Sequence, residues 1–239
     1  MNLIGRLFCS SVGKKLIMAA TGLGLVLFVF GHMVGNLQVF LGPEAINRYA
    51  ELLHFSPELL WVVRLGMLTL IGLHIWAAFQ VSAENRVARP VGYDGSPAPV
   101  ETTYASRTML MSGLIVAAFV IYHLLHYTVR VEAINFTGRS FADLKELSEA
   151  GVERHDVFKM VILGFSKPLV SLFYVVGVGL LSLHLSHGLR AMFQSLGLLT
   201  HRCGPLIRKL APVLAWVLFL GYVSIPLAVM LGFGKEALN

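Results

Sequence analysis

Residues 16–40 read LIMAATGLGLVLFVFGHMVGNLQVF, with no acidic, lysine or arginine side chain in the run. A hydrocarbon core about 30 Å thick needs about 20 consecutive apolar residues in a helix. An open strand at that depth would leave backbone groups unpaired in lipid, so the run is predicted as a membrane-spanning helix. Four more stretches of this kind follow at 59–82, 108–130, 167–190 and 211–233, each bounded by polar or turn residues. The expected fold is an all-α integral membrane bundle of five transmembrane helices, forming one membrane domain over 1–239 with no internal repeat.

Composition agrees with that reading. Of 239 residues, 56% are hydrophobic and only 13% charged, against about 25% charged in a typical soluble domain. The surface of such a chain must face lipid. Arg6, Lys14 and Lys15 ahead of the first run resemble the start of a signal peptide. The run is too long for one, and it carries His32, Asn36 and Gln38 where a small-residue cleavage site would stand. A basic balance of +6 in so apolar a chain points to cytoplasmic loops rather than to nucleic acid. With the N-terminus in the cytoplasm, the inside segments sum to +7 and the outside segments to −1, which predicts N-in, C-out.

Between the spans, 83–107 reads as an irregular connection rich in proline and glycine. Within 131–158, the stretch 141–149 has the pattern of a short surface helix, and 43–55 that of an amphipathic helix at the outer interface. Cys9 and Cys203 are too few for a disulfide framework or a cysteine metal site, and both are expected to be free and structural.

Nine histidines are many for this length. His32, His74, His123, His126 and His184 fall inside the spans and His187 near the end of the fourth, where ionisable groups are costly and usually functional. At about 1.5 Å of rise per residue, His32 and His123 lie about 24 and about 22 Å from the inner end of their helices, and His74 and His184 about 12 and about 9 Å. Two layers result, roughly 12–13 Å apart. Neutral imidazole is a common axial ligand of haem iron, so the layers suit two bis-histidine haems, with His126 and His187 fitting them less well. Each histidine taken alone could equally bond a neighbouring helix. Gly22, Gly24, Gly31 and Gly35, and more weakly Gly72 and Gly188, admit either a flat macrocycle or another helix. Phosphate loops, dinucleotide fingerprints, HExxH and paired catalytic carboxylates are all missing from the sequence.

An ordered set of short motifs runs along nearly the whole chain: SSVGKKL from Ser10, TGL from Thr21, GHMVGNL from Gly31, GPEAINRYA from Gly42, LHIWAA from Leu73, YHLLHY from Tyr122 and HLSHGL from His184. In these motifs the sequence resembles the five-helix, dihaem cytochrome b membrane-anchor subunit of succinate dehydrogenases and fumarate reductases. The resemblance implies two haem b groups, with His32 and His123 as axial ligands of the outer one and His74 and His184 of the inner one. It selects His123 by the glycine ten residues earlier and His184 by the glycine four residues later. His126, His187, Lys15 and Arg190 then fall to a surrounding role, near propionates or in packing.

The resemblance further implies a flavoprotein subunit and an iron–sulfur subunit as partners, in a bacterial cytoplasmic membrane. This chain would carry electrons between the iron–sulfur subunit and membrane quinone, with menaquinone the expected one, as a non-catalytic subunit of a tricarboxylic acid cycle or fumarate-reducing enzyme. One charge moved through 100 mV is worth about 2.3 kcal/mol, so layered haems would tie turnover to membrane potential. Some fumarate reductases of the family have a glutamate two residues before the fourth ligand. Ser182 stands there here, so that proton route is not carried over. A quinone site is expected where helices 1 and 2 meet the outer surface, among Glu44, Glu51, His54 and Glu58, with Glu51 or His54 serving its carbonyl. Two other readings stay open: a haem-free docking anchor, and the cytochrome b anchor of a hydrogenase or formate dehydrogenase.

Overall fold

A computed structural model describes residues 3–88 and 108–238. The chain is all-α, and five of its helices are long and apolar enough to cross a membrane. In chain order the helices are α1 (Leu3–Cys9), α2 (Ser11–Leu37), α3 (Pro43–His54), α4 (Pro57–Val87), α5 (Met109–His123), α6 (Val157–Phe165), α7 (Pro168–Ser195) and α8 (Gly204–Met230). The long ones are α2, α4, α5, α7 and α8. A π-helical turn, Leu124–Thr128, extends α5. Apolar side chains such as Leu27, Phe28, Leu65, Leu68, Leu172 and Trp216 point outward, which suits a lipid-facing surface.

The chain divides into two compact units, 1–29 with 62–113 and 182–216, and 30–61 with 114–181 and 217–239. In the first unit α2 and α4 run further than their apolar stretches, because the polar residues at their ends are paired. Lys14, nearly buried, forms an ion pair with Glu84 and reaches Gln80 Oε1 at 3.4 Å, and Ser11 donates to Glu84 at 2.5 Å. The expected loop from residue 83 therefore begins only after Val87, and residues 89–107 lie outside the described residues. Cys9 and Cys203 are free and exposed, so neither packs a core.

The second unit holds a polar cap that the sequence reading did not resolve. The expected helix over 141–149 is absent. Phe141–Asp143 makes a single 3-10 turn, and a two-stranded antiparallel hairpin follows, β1 (Lys145–Leu147) with β2 (Glu153–His155). Cross-strand pairs decide this: Lys145 bonds Glu153 at 2.6 Å and Arg154 bonds Glu146 at 2.7 Å. Gly151, at φ +73°, supplies the turn that lets the two strands meet. The amphipathic helix expected over 43–55 is present as α3.

Asn47, 1% exposed, fastens α3 to the start of α6 by donating to Asp156 Oδ1 at 3.1 Å and accepting from the Phe158 amide at 2.8 Å. Asp156 also caps α6, accepting from the Lys159 amide at 2.9 Å. α6 is apolar except for Lys159 and mostly buried, and Phe158, Val161, Ile162 and Phe165 join a core with Val39, Ile46, Phe119, Val170 and Tyr174. Pro168 then opens α7 at a helix start, where its missing N–H costs nothing.

Candidate functional site

In the first unit, His74 stands on α4 and His184 on α7, and each ring is held by a hydroxyl of another helix. Thr21 donates its own proton to the Ile17 carbonyl at 2.7 Å, so its oxygen is left to accept from His74 Nδ1 at 3.2 Å. The Met18 carbonyl, also 3.2 Å from that nitrogen, can only accept. Both contacts place the proton on Nδ1, and a neutral imidazole then has its lone pair on Nε2. Ser112 repeats the arrangement: it donates to the Met109 carbonyl at 3.1 Å and stands 3.3 Å from His184 Nδ1.

The residue after each hydroxyl is a glycine pressed on the same ring. A β-carbon on Gly22 would come within 3.3 Å of His74 Cε1, and one on Gly113 within 3.2 Å of His184 Cε1. His184 lies within electrostatic reach of both His74 and His187.

In the second unit, His32 on α2 and His123 on α5 face each other, with ring centres 5.8 Å apart and planes at 79°. Two imidazoles this close could hold one iron between them. Aromatic rings surround the pair: Tyr222 is 6.2 Å from His32, and Tyr127 and Tyr174 are each 6.0 Å from His123. Tyr174 Oη lies between two imidazole nitrogens, His126 Nδ1 at 3.0 Å and His123 Nδ1 at 3.4 Å. His126 is fully buried in the π-helical turn, and its Nε2 has no hydrogen-bond partner. π-turns recur at functional positions in helices.

Each pair brings two imidazoles together, which is the number of protein donors a bis-histidine haem asks for. Among the described residues, no group of three or more His, Cys, Asp or Glu side chains could hold a metal by itself. A bis-histidine haem asks for only two protein donors with the second nitrogen of each ring tied back, and the tie-back is what fixes tautomer and ring orientation.

The other expected site residues fall as follows. His187 has a buried, unpartnered Nδ1 and lies within electrostatic reach of Arg190, which is half-buried. Lys15 is exposed, and its neighbour Lys14 is the buried lysine, already committed to Glu84. Ser182 is buried with its Oγ unpartnered.

On the cap, Glu51 is 3.6 Å from the buried Arg154 guanidinium, which also holds Glu44 and Glu146. The Arg154 hydrogen bond keeps the Glu44 carboxyl below the ordinary carboxylate range. His54 is exposed, with Nδ1 2.7 Å from its own helix's Ala50 carbonyl, and Glu58 accepts from Ser56 at 3.1 Å. Glu51 thus stands in an ion-pair cluster, whereas His54 keeps its Nε2 edge free of any protein bond among the described contacts.

Sequence reasoning missed Thr21, Ser112 and Tyr174. A signal for the first two was present: Thr21-Gly22 and Ser112-Gly113 each stand the same distance ahead of a histidine on their own helix, His32 and His123. Comparison of the chain with protein-family models, with curated proteins and with solved structures found no match.

Proposed function

We propose that this chain is a dihaem cytochrome b that anchors a succinate:quinone oxidoreductase in a bacterial cytoplasmic membrane, N-terminus inside and C-terminus outside. The observation that carries the haem assignment is the set of Nδ1 tie-backs on His74 and His184, which leaves Nε2 of each ring as a bare donor. His74 and His184 would hold one haem b, and His32 and His123, with ring centres 5.8 Å apart, the other. Bound there, haem iron supplies one-electron carriage between an iron–sulfur subunit, itself partnered by a flavoprotein, and membrane quinone, with menaquinone the expected quinone.

The chain's own residues prepare the sites rather than react. Thr21, the Met18 carbonyl and Ser112 fix the tautomers and aim the rings. Gly22 and Gly113 leave out the side chains that would push those rings aside. Tyr222, Tyr127 and Phe119 wall the second pair in a nonpolar setting, which keeps water from the ligands. His54, exposed on α3, would exchange a proton with a quinone carbonyl, beside Glu51, which lies 3.6 Å from Arg154.

Support for the succinate-linked assignment comes from the ordered motifs that resemble that family. The test is a reduced-minus-oxidised spectrum and a pyridine haemochrome assay on the chain purified in detergent. Two haem b per chain, falling to one when His74 or His123 becomes alanine, is the expected result. A chain with no haem would overturn it, and copurification with hydrogenase or formate dehydrogenase subunits would overturn the succinate assignment alone.

A further inference from the structure

Tyr174 sits on α7 with its hydroxyl between two histidines, and only one of them can take its proton. The hydroxyl has one hydrogen to give and lone pairs to receive. Its contact to His126 Nδ1 is the shorter, 3.0 Å against 3.4 Å to His123 Nδ1. If Tyr174 donates to His126, its oxygen is free to accept from a protonated His123 Nδ1, and His123, its ring centre 5.8 Å from that of His32, keeps a bare Nε2. The opposite order would put the His123 proton on Nε2 and close that nitrogen to any metal.

Burial makes the chain of bonds consequential. Tyr174 is 6% exposed and His126 fully buried. Water is excluded from both, so neither hydroxyl nor imidazole has solvent as an alternative partner. In so nonpolar a setting, linked hydrogen bonds polarise one another. An acceptor on the outer nitrogen of an axial histidine raises the ligand's basicity, which favours the oxidised metal.

We propose that Tyr174 is a positioning residue that acts through His123, and that the directed chain His123 Nδ1–H to Tyr174 Oη–H to His126 Nδ1 lowers the reduction potential of the haem held by His32 and His123. The same chain assigns His126 a supporting role and excludes it as a ligand, because its Nδ1 accepts and its Nε2 carries the proton, buried beside Tyr127 at a ring-centre distance of 4.1 Å. This inference rests on the dihaem reading above.

The experiment is a redox titration of the purified chain, followed optically and by electron paramagnetic resonance, in the wild type, Tyr174→Phe and His126→Phe. Haem content is measured first by pyridine haemochrome, so that absence of haem, which would remove the underlying reading, is separated from failure of this proposal. Tyr174→Phe removes the acceptor for His123 and should favour reduction of one haem by about tenfold, about 59 mV upward for one electron, with the other haem unchanged. His126→Phe leaves the oxygen in place but removes what its proton bonds to, so the same haem should shift in the same direction by less. If Tyr174→Phe loses that haem altogether, the His126→Phe titration decides: a small upward shift supports the chain and no shift overturns it. An unchanged potential in Tyr174→Phe, equal movement of both haems, or loss of a haem in His126→Phe, which would make His126 a ligand, each overturns the proposal.

Discussion

Ser112→Ala and Thr21→Val remove the hydroxyls that tie back His184 and His74, and the structure says the two should not cost the same. His74 Nδ1 has a second acceptor, the Met18 carbonyl at 3.2 Å, which stays when Thr21 loses its oxygen. His184 Nδ1 has Ser112 alone among the described contacts, at 3.3 Å. A buried donor left without any partner costs about 1–3 kcal/mol, whereas weakening one bond of a shared pair costs about 0.5 kcal/mol. At about 1.4 kcal/mol per tenfold, the first is roughly a five- to 150-fold loss in affinity and the second about twofold. Measured losses on removing groups that orient metal-bound histidines fall at about 10–100-fold, inside the larger range. The assay is haem retention: each purified variant is challenged with excess apomyoglobin, and the rate at which haem leaves is followed by its Soret absorbance. On the dihaem reading, Ser112→Ala should release one haem about five- to 150-fold faster than wild type, with Thr21→Val within about twofold of wild type. Equal release from both variants, or faster release from Thr21→Val, would refute the tautomer argument.

Other outcomes follow from the same geometry. Gly113→Ala places a methyl 3.2 Å from His184 Cε1, and overpacking of this kind costs about 1–3 kcal/mol; it should perturb the low-spin resonance of one haem, whereas Gly66→Ala, with open space at its β-carbon, should not. Asp156→Ala removes the cap of α6 and one of the bonds to Asn47, so the second unit should lose about 1–2 kcal/mol, read as faster amide exchange at Lys159 and its neighbours. Burial, and then the Arg130 guanidinium 3.3 Å away, hold the His155 imidazole below its ordinary value near 6.5. Its unfolded form therefore binds protons first: the hairpin keeps its full stability above about pH 6.5 and loses it as pH falls toward the lowered folded value. His155→Gln should flatten the pH dependence of hairpin proteolysis between pH 7 and 5.

The five long helices were legible because lipid imposes a length and a polarity that a window of residues displays directly. Their ends were not, since Lys14 and Glu84 read as loop charges until each is seen to neutralise the other. The stretch 141–149 has a helical pattern in isolation. What overrides it is the partner strand at Glu153–His155 and the guanidinium of Arg154, which no local period reveals. At the candidate site, the depth of His32, His74, His123 and His184 could be counted from the spans. The choice of Nδ1 or Nε2 could not, because it depends on where Thr21, Ser112 and Tyr174 send their own protons.

Asn47 meets its partners across 109 and 111 residues of chain. A ribosome adding about 5–20 residues per second delivers Asp156 and Phe158 roughly 5–22 s after Asn47 has left it. Through that interval α3 has its packing on the preceding turn, with Ile46 in the same core as Val39, but not its bonds to Asp156 and Phe158, and Glu44 waits for Arg154 as well. The cap is therefore a late event in biogenesis, completed only when the third long helix has been made and the hairpin behind it has emerged. Nascent chains halted before residue 154 should expose α3 to protease, and chains halted well past residue 165 should protect it.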